Sequence, residues 1–135
     1  MKASLKAGLE STKSLVVDEK RCIGFMGREG RVYATPMMVS DVEYACRDFL
    51  LGQLDPGEDS VGTQVVIDHL AATPLGMEVF IQVRISQVEK RKITFEFSVK
   101  DSIEEAGRGT HTRFVVDTAK TAERIAAKRA RANLR

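Results

Sequence analysis

The stretch that decides the fold is YATPMMVSDVEYACRDFLL, residues 33–51, which predicts the one long helix of an otherwise strand-forming chain. Thr35 followed by Pro36 favours a helix start, because a threonine hydroxyl can cap free backbone N–H groups and proline lacks an N–H that would stay unpaired there. We therefore expect Thr35 to cap a helix that begins near Pro36. The turn-forming run GQLDPGEDS, residues 52–60, should end this helix.

The predicted helix has an apolar arc and a polar arc. Helical spacing gathers the large apolar residues on one side, which we expect to pack against other elements. This apolar arc comprises Val39, Val42, Ala45, Cys46, Phe49 and Leu50. The polar arc lies opposite and comprises Ser40, Asp41, Tyr44, Arg47 and Asp48.

Glu43 falls at the border between the two arcs, so its carboxylate can reach whatever the apolar arc packs against. A carboxylate in that position is a candidate for a functional site. The simpler interpretation is a surface ion pair with Arg47, four residues later and in the favourable order. Taken alone, the helix pattern favours the ion pair.

After the helix, the hydrophobic period changes from that of a helix to that of a strand. We predict four long antiparallel strands at residues 61–72, 79–86, 93–100 and about 110–116, and a possible edge strand at residues 14–17. Alternation places Val61, Thr63, Val65, Ile67 and His69 on one face of the first long strand. His69 therefore shares a face with aliphatic residues, where a histidine is more often part of the core than catalytic.

This order of elements predicts an α+β domain of the hot-dog type, in which an antiparallel sheet wraps one long central helix. A chain of 135 residues is long enough for one compact core, so we expect a single domain over residues 1–135. A basic C-terminal helix should begin at about residue 118. Because long strands leave unpaired edges, we also expect edge-to-edge pairing in a homodimer or a higher homo-oligomer.

The net charge of +2 is distributed unevenly along the chain. From residue 119 onward, six basic residues stand against Glu123 alone, so this tail carries +5 and the body carries −3. A basic terminal helix is most often a solvated face, and the few aromatic residues are scattered, so we predict no nucleic-acid partner.

Composition also indicates the cellular compartment and excludes some kinds of site. No apolar run is long enough to cross a bilayer, and residues 1–20 lack the apolar core of a signal peptide. We therefore expect a cytoplasmic protein with no membrane partner. Cys22 and Cys46 lie apart, without CxxC or histidine-rich spacing, so we expect neither a disulfide framework nor a metal site. Cys46 should be a core residue.

Three candidate side chains combine into a plausible chemistry. Packing of the helix on the sheet would point Glu43 and His69 into the same layer, or into the matching site of a dimer partner. Thr35 lies at the helix start, where backbone N–H groups and the helix dipole stabilise a developing negative charge. A carboxylate, an imidazole and a hydroxyl supply a base or nucleophile, a proton carrier and an environment for an oxyanion. This combination suits transfer of an acyl group to water.

Three segments resemble the fluoroacetyl-CoA thioesterase family of hot-dog acyl-CoA thioesterases: ATPMMVSDVEYAC, GTQVVIDHLAATPLGMEV and GRGTHTRFVV. The resemblance implies that Thr35, Glu43 and His69 form the catalytic group. It also implies that Gly62, which opens the histidine strand, lies near the thioester. With these elements in the family's order, we place catalysis by Glu43 ahead of its ion pair with Arg47.

Two features differ from the family's pattern. The glycine-rich segment 21–31 is the candidate lid, and it holds Phe25 as a substrate contact where the family uses a pair of phenylalanines. Pro36 stands where the family pattern has a glycine. His111 occupies a position that the family also fills with histidine, and we interpret it as a structural side chain.

The resemblance therefore predicts an acyl-CoA thioesterase that hydrolyses a small or medium acyl-CoA to the free acid and CoA. It requires no cofactor beyond the coenzyme A of its substrate. Whether Glu43 or Thr35 attacks the thioester, or Glu43 activates water, is left open. The alternative from another functional class is a non-hydrolytic module that binds or senses acyl-CoA.

Overall fold

An antiparallel sheet of five strands curves around one long helix in the computed structural model, which describes residues 1–134. The strands are β1 (Glu10–Val16), β2 (Glu58–His69), β3 (Glu78–Glu89), β4 (Lys92–Asp101) and β5 (Glu105–Asp117). The helices are α1 (Thr35–Leu51), α2 (Thr118–Arg131) and a short 3-10 turn, Glu19–Arg21. The strand order β1-β3-β4-β5-β2 places β1 at one edge and β2 at the other. The predicted hot-dog architecture is thereby confirmed, with its central and C-terminal helices.

The core lies between α1 and the inner face of the sheet, as the alternating sequence of β3 and β4 requires. Every predicted inward residue of these strands is buried: Val79, Ile81, Val83, Ile85, Ile93, Phe95, Phe97 and Val99. The tight turn that joins the strands needs a left-handed residue, and Lys90 takes a φ of 57° there. The predicted edge strand is also present as β1, which is longer than expected because Glu10 already pairs with Arg84.

A bulge in β2 corrects the predicted alternation. The register with β5 shifts between Gly62 and Gln64, so Thr63 is the extra residue. Residues after the bulge keep the predicted face, which includes His69. Residues before it change face, so Gly62 points inward and Val61 is 43% exposed instead of buried. Periodicity could not reveal this, because a one-residue insertion leaves each half of the strand alternating normally.

β5 begins at Glu105, five residues earlier than predicted. The glycines that suggested a turn lie inside the strand, where they permit close approach of neighbouring atoms. A Cβ atom at Gly107 would lie 2.7 Å from the Sδ atom of Met38, and one at Gly109 would lie 1.8 Å from the carbonyl oxygen of Val66. Packing against the β2 backbone therefore requires glycine at position 109, whereas at position 107 the flexible Met38 side chain can move.

α1 begins and ends where the sequence predicts, but its first residues differ from the prediction. The N-cap is Ala34, without a side-chain cap, so the prediction that Thr35 caps the helix is wrong. Most of the apolar arc is buried as expected: Val42, Ala45, Cys46 and Leu50. Asp41, from the polar arc, is also buried, at 8% exposure, because Arg21 and Tyr33 fold over it and satisfy its oxygens.

α2 contrasts with α1 because none of its residues is buried. Its N-cap is Asp117, whose carboxylate accepts a hydrogen bond from the Lys120 backbone N–H at 2.9 Å. Basic residues occupy its last turn, as the charge pattern predicts. No helix within residues 1–134 is sufficiently long and apolar to cross a membrane.

Candidate active site

Thr35 and His69 meet, as the resemblance implied. The Oγ1 atom of Thr35, in the first turn of α1, lies 2.7 Å from Nδ1 of His69, at the end of β2. The two residues are 34 positions apart, so only the packing of α1 across β2 brings them together. The threonine hydroxyl that was expected to cap the helix instead orients an imidazole.

The surroundings of His69 keep its imidazole neutral near physiological pH. Burial lowers the pKa of His69, and a hydrogen bond with the backbone of Ala71 opposes this shift. The Nε2 atom is buried and has no hydrogen-bond partner among the described residues. A buried ring nitrogen without a partner is unusual, since polar atoms in such places usually have one.

The Thr35–His69 pair lines an open cleft of about 360 Å³, which we call the histidine cleft. Its lining residues are Ile23, Phe25, Val32, Tyr33, Thr35, His69, Leu70, Ala71 and Ala72. Most of these side chains are apolar, and two of them, Ile23 and Phe25, come from the predicted lid. Phe25 lines the cleft but is 81% exposed, so the lid lies beside the cleft and leaves it open.

Glu43 lies in a second cleft, of about 560 Å³, which we call the glutamate cleft. Its lining residues are Pro36, Val39, Ser40, Glu43, Tyr44, Arg47, Asp59, Ser60 and Arg113. Gly62 faces the carboxylate directly: a Cβ atom at this position would lie 3.2 Å from Oε2 of Glu43 and 3.1 Å from Cε1 of His111. Gly62 therefore leaves open a space that any side chain would fill.

Arg113 lines the glutamate cleft and was not among the site residues that the sequence predicted. It is 5% exposed, and its guanidinium donates hydrogen bonds to Oγ of Ser60 (2.7 Å), to the Ser60 carbonyl (2.7 Å) and to Nε2 of His111 (3.1 Å). Burial lowers the pKa of Arg113, and the negative charge of Glu43 is among the interactions that oppose this shift. The sequence did contain a signal for this residue. Arg113 lies two residues before Val115, which is buried, and therefore shares the inward face of β5.

His111 makes hydrogen bonds to two neighbouring groups, which is consistent with the structural role that we predicted. Its Nδ1 atom lies 2.8 Å from the Gln64 carbonyl and donates to it, which leaves Nε2 to accept from Arg113. Burial is the main cause that lowers the pKa of His111, and the nearby guanidinium adds to the shift. The neutral ring thus connects β2 to Arg113 and holds the guanidinium beside Glu43.

The surface ion pair that competed with a functional interpretation of Glu43 does not form. Arg47 instead pairs with Asp59, at 2.6 Å, and with Asp48, at 3.3 Å. Among the described residues, Glu43 makes no salt bridge within 4 Å. Its carboxylate is therefore left to the cleft.

Within one chain, the expected catalytic group is divided between the two clefts. Thr35 and Glu43 are eight residues apart on α1, which is about 12 Å along a helix axis. Gly62 and His69 are seven residues apart on β2, roughly 20 Å along a strand. Glu43 thus lies against Gly62, whereas His69 shares a cleft with Thr35 and Phe25.

Comparison with known proteins identifies the family to which the chain belongs. The sequence pattern of the family described as fluoroacetyl-CoA-specific thioesterase matches residues 17–119. The fluoroacetyl-CoA thioesterase of Streptantibioticus cattleyicolor is 33% identical over 123 residues, which cover 86% of this chain and 88% of the relative.

Two solved structures extend the similarity to the fold. A mutant of the fluoroacetyl-CoA-specific thioesterase, in complex with fluoroacetate and CoA, has a TM-score of 0.80 and 31% identity, and the match covers 87% of this chain and 99% of that one. A thioesterase superfamily member from Thermus thermophilus has a TM-score of 0.88 and 25% identity, with coverage of 97% and 98%. The chain therefore belongs to the family of fluoroacetyl-CoA-specific thioesterases, which confirms the prediction of a thioester hydrolase.

Proposed function

We propose that this protein is an acyl-CoA thioesterase that hydrolyses small or medium acyl-CoA thioesters to the free acid and CoA. The observation that carries the proposal is the Thr35–His69 hydrogen bond in an open cleft, with Nε2 of His69 left unpartnered. A CoA complex of a relative at 31% identity supports an acyl-CoA substrate. The histidine cleft is mostly apolar and has a volume of about 360 Å³, which suits a small or medium acyl group.

In the proposed reaction, Thr35, Glu43 and His69 form the catalytic group. Glu43 attacks the thioester carbonyl or activates a water molecule that does so, and His69 carries the proton that the leaving thiolate needs. Thr35 holds the imidazole in position or acts as the nucleophile. The first turn of α1 offers a positive dipole end to the oxyanion. If water attacks directly, the C–S bond breaks to give the acid and the free thiol. If Glu43 or Thr35 attacks, the C–S bond breaks to give the free thiol and an acyl-enzyme, which water then hydrolyses to the acid.

The separation of the two clefts supports a homodimer in which each catalytic group is shared between subunits. β2 lies at an edge of the sheet and carries exposed apolar residues, Val61 at 43% and Val66 at 52%. Antiparallel pairing of two copies of β2 about a two-fold axis between Val65 and Val66 would set Gly62 opposite the partner subunit's His69. Glu43, which lies against Gly62, would then reach the partner's histidine cleft.

Mixed dimers test this proposal. Glu43→Gln and His69→Ala homodimers should each release thiol from acyl-CoA about 10²–10⁴-fold more slowly than the wild type, the usual range for an acid or base. A mixed dimer of the two variants would contain one site with an intact Glu43 and an intact His69. We therefore expect mixing under conditions that exchange subunits to restore activity.

The outcomes distinguish the proposals. Dimers that exchange subunits without regaining activity would place Glu43 and His69 in the same chain's site. Hydrolysis that survives both single substitutions would refute the catalytic group and leave the fold intact. Tight binding of acyl-CoA by the wild type without release of thiol would favour the binding or sensing module. Fractionation of the native cell would test the cytoplasmic location, which stays a prediction.

A further inference from the structure

A buried ionic cluster lies beside the histidine cleft and outside the proposed catalytic group. Asp41, on α1, is 8% exposed, and its two oxygens accept hydrogen bonds from Nε (2.9 Å) and Nη2 (3.1 Å) of Arg21. The hydroxyl of Tyr33, which is 1% exposed, donates a third hydrogen bond to the same carboxylate. We call these three residues the Asp41 cluster.

Stability alone does not account for such a cluster. Desolvation of two charges often cancels their attraction, and an apolar replacement of similar volume is frequently neutral or stabilising. The fork of two hydrogen bonds from Arg21 does, however, define a geometry that apolar contacts would not. The question is therefore which parts of the molecule this geometry holds together.

Arg21 is the first residue of the lid segment 21–31, and Tyr33 lies two residues after its end; we call these two residues the stems of the lid. Between them runs the segment 23–32, which the backbone closes through a hydrogen bond from Ile23 N–H to the Val32 carbonyl, at 3.0 Å. Cys22 and Tyr33 form an isolated β-bridge just outside this closure. One carboxylate of α1 thus binds the side chains at both ends of the lid.

The same residues define the start of α1. The N–H of Ala34, the N-cap, donates to the Arg21 carbonyl at 2.8 Å, and Thr35 follows directly. Arg21 therefore binds the first turn of α1 through its backbone and the second turn through Asp41. A shift of this stem would move both the Thr35 hydroxyl, relative to His69, and the lid residue Phe25, relative to the cleft.

We propose that Asp41 is a positioning residue of the thioesterase reaction, which acts through Arg21 and Tyr33 to fix the lid and the first turn of α1 around the histidine cleft. The inference rests on the proposed function for its catalytic consequence. It deepens that function, because it assigns specificity and rate to a residue that does not line either cleft. Asp41 changes the reaction by placing other groups.

The test compares Asp41→Asn with Asp18→Asn. Arg21 binds both carboxylates, since its Nη1 atom lies 2.8 Å from Asp18, but Asp18 is exposed and does not contact the lid's second stem. For Asp41→Asn we expect kcat/KM per folded molecule to fall at least about tenfold, because small misplacements of reacting groups cost up to about a hundredfold. For Asp18→Asn we expect a change of less than about twofold, as is usual for exposed pairs.

Two further readouts separate positioning from a purely structural role. Hydrogen exchange at the Ile23 and Ala34 amides should accelerate in Asp41→Asn and stay unchanged in Asp18→Asn. The loss caused by Asp41→Asn should also shrink in a Phe25→Ala background, because both changes then act on the same lid. A full additive loss in that background, or wild-type kcat/KM in folded Asp41→Asn, would overturn the inference.

Tyr33→Phe provides the second variant if Asp41→Asn does not fold. It removes one hydroxyl and leaves the Arg21 fork in place, so we expect a smaller loss in the same direction and faster exchange at Ala34. Unchanged rates and unchanged exchange would refute the inference. If the wild type releases no thiol from any acyl-CoA, the proposed function fails, and the exchange comparison still decides whether Asp41 anchors the lid.

Discussion

The histidine cleft and the glutamate cleft hold the two halves of the proposed catalytic group in different surroundings. The first is mostly apolar, contains a neutral imidazole and adjoins the lid. The second is polar, with Arg47 and Arg113 on its walls and two carboxylates between them. Of the proposed catalytic group, the first cleft holds Thr35 and His69 and the second holds Glu43. The difference supports a site assembled from two copies of the chain.

The two clefts should also differ in what their central side chains contribute to stability. Arg113→Met would leave buried acceptors on Ser60 and His111 without a donor, and each such group costs about 1–3 kcal/mol. Thr35→Val removes a hydroxyl at an exposed position, which should cost less than about 1 kcal/mol. Urea unfolding of both variants measures the difference. Equal decreases in the free energy of unfolding would show that Thr35 contributes as much to stability as Arg113.

A single methyl group can test how closely the glutamate cleft is fitted. Gly62→Ala would place a Cβ atom 3.2 Å from Oε2 of Glu43, so the carboxylate must shift by a few tenths of an ångström. We expect kcat/KM for acyl-CoA to fall about tenfold, within the cost of small misplacements of catalytic groups. Gly24→Ala is the matched control, because no atom lies within 4 Å of its added Cβ. Equal kcat/KM values for Gly62→Ala and Gly24→Ala would show that Gly62 is not part of the site.

The pH dependence should report on the histidine cleft. Burial lowers the pKa of His69, so the ring stays neutral and able to accept a proton below the ordinary value of about 6.5. We therefore expect kcat/KM to stay constant from pH 8 to about 6.5 and to fall only at lower pH. An inflection above pH 6.5 would mean that the imidazole is stabilised in its charged form.

The same shift predicts a smaller effect on stability. The unfolded chain binds a proton at His69 at a higher pH than the folded chain does, so the free energy of unfolding should decrease as pH falls below about 6.5. His111 contributes in the same direction, since its pKa is also lowered. His69→Ala should retain only the part due to His111. If the free energy of unfolding of His69→Ala depended on pH as steeply as that of the wild type, the lowered pKa of His69 would be contradicted.

Sequence alone predicted the elements whose environment follows from local pattern. The strict alternation of β3 and β4 identified their buried residues, and the spacing within residues 33–51 identified the length of α1 and most of its buried arc. The resemblance of three segments to a known family predicted a thioester hydrolase. These features depend on the period of the backbone and on short motifs, which a sequence displays directly.

The tertiary structure decided how those residues are combined. It placed the Thr35 hydroxyl on His69 instead of the helix cap, buried Asp41 beneath Arg21 and Tyr33, and turned Gly62 inward through the bulge at Thr63. It also separated Glu43 from His69 within one chain. These outcomes depend on contacts between residues far apart in sequence, where a shift of one strand position or the approach of another element changes the partner of a side chain.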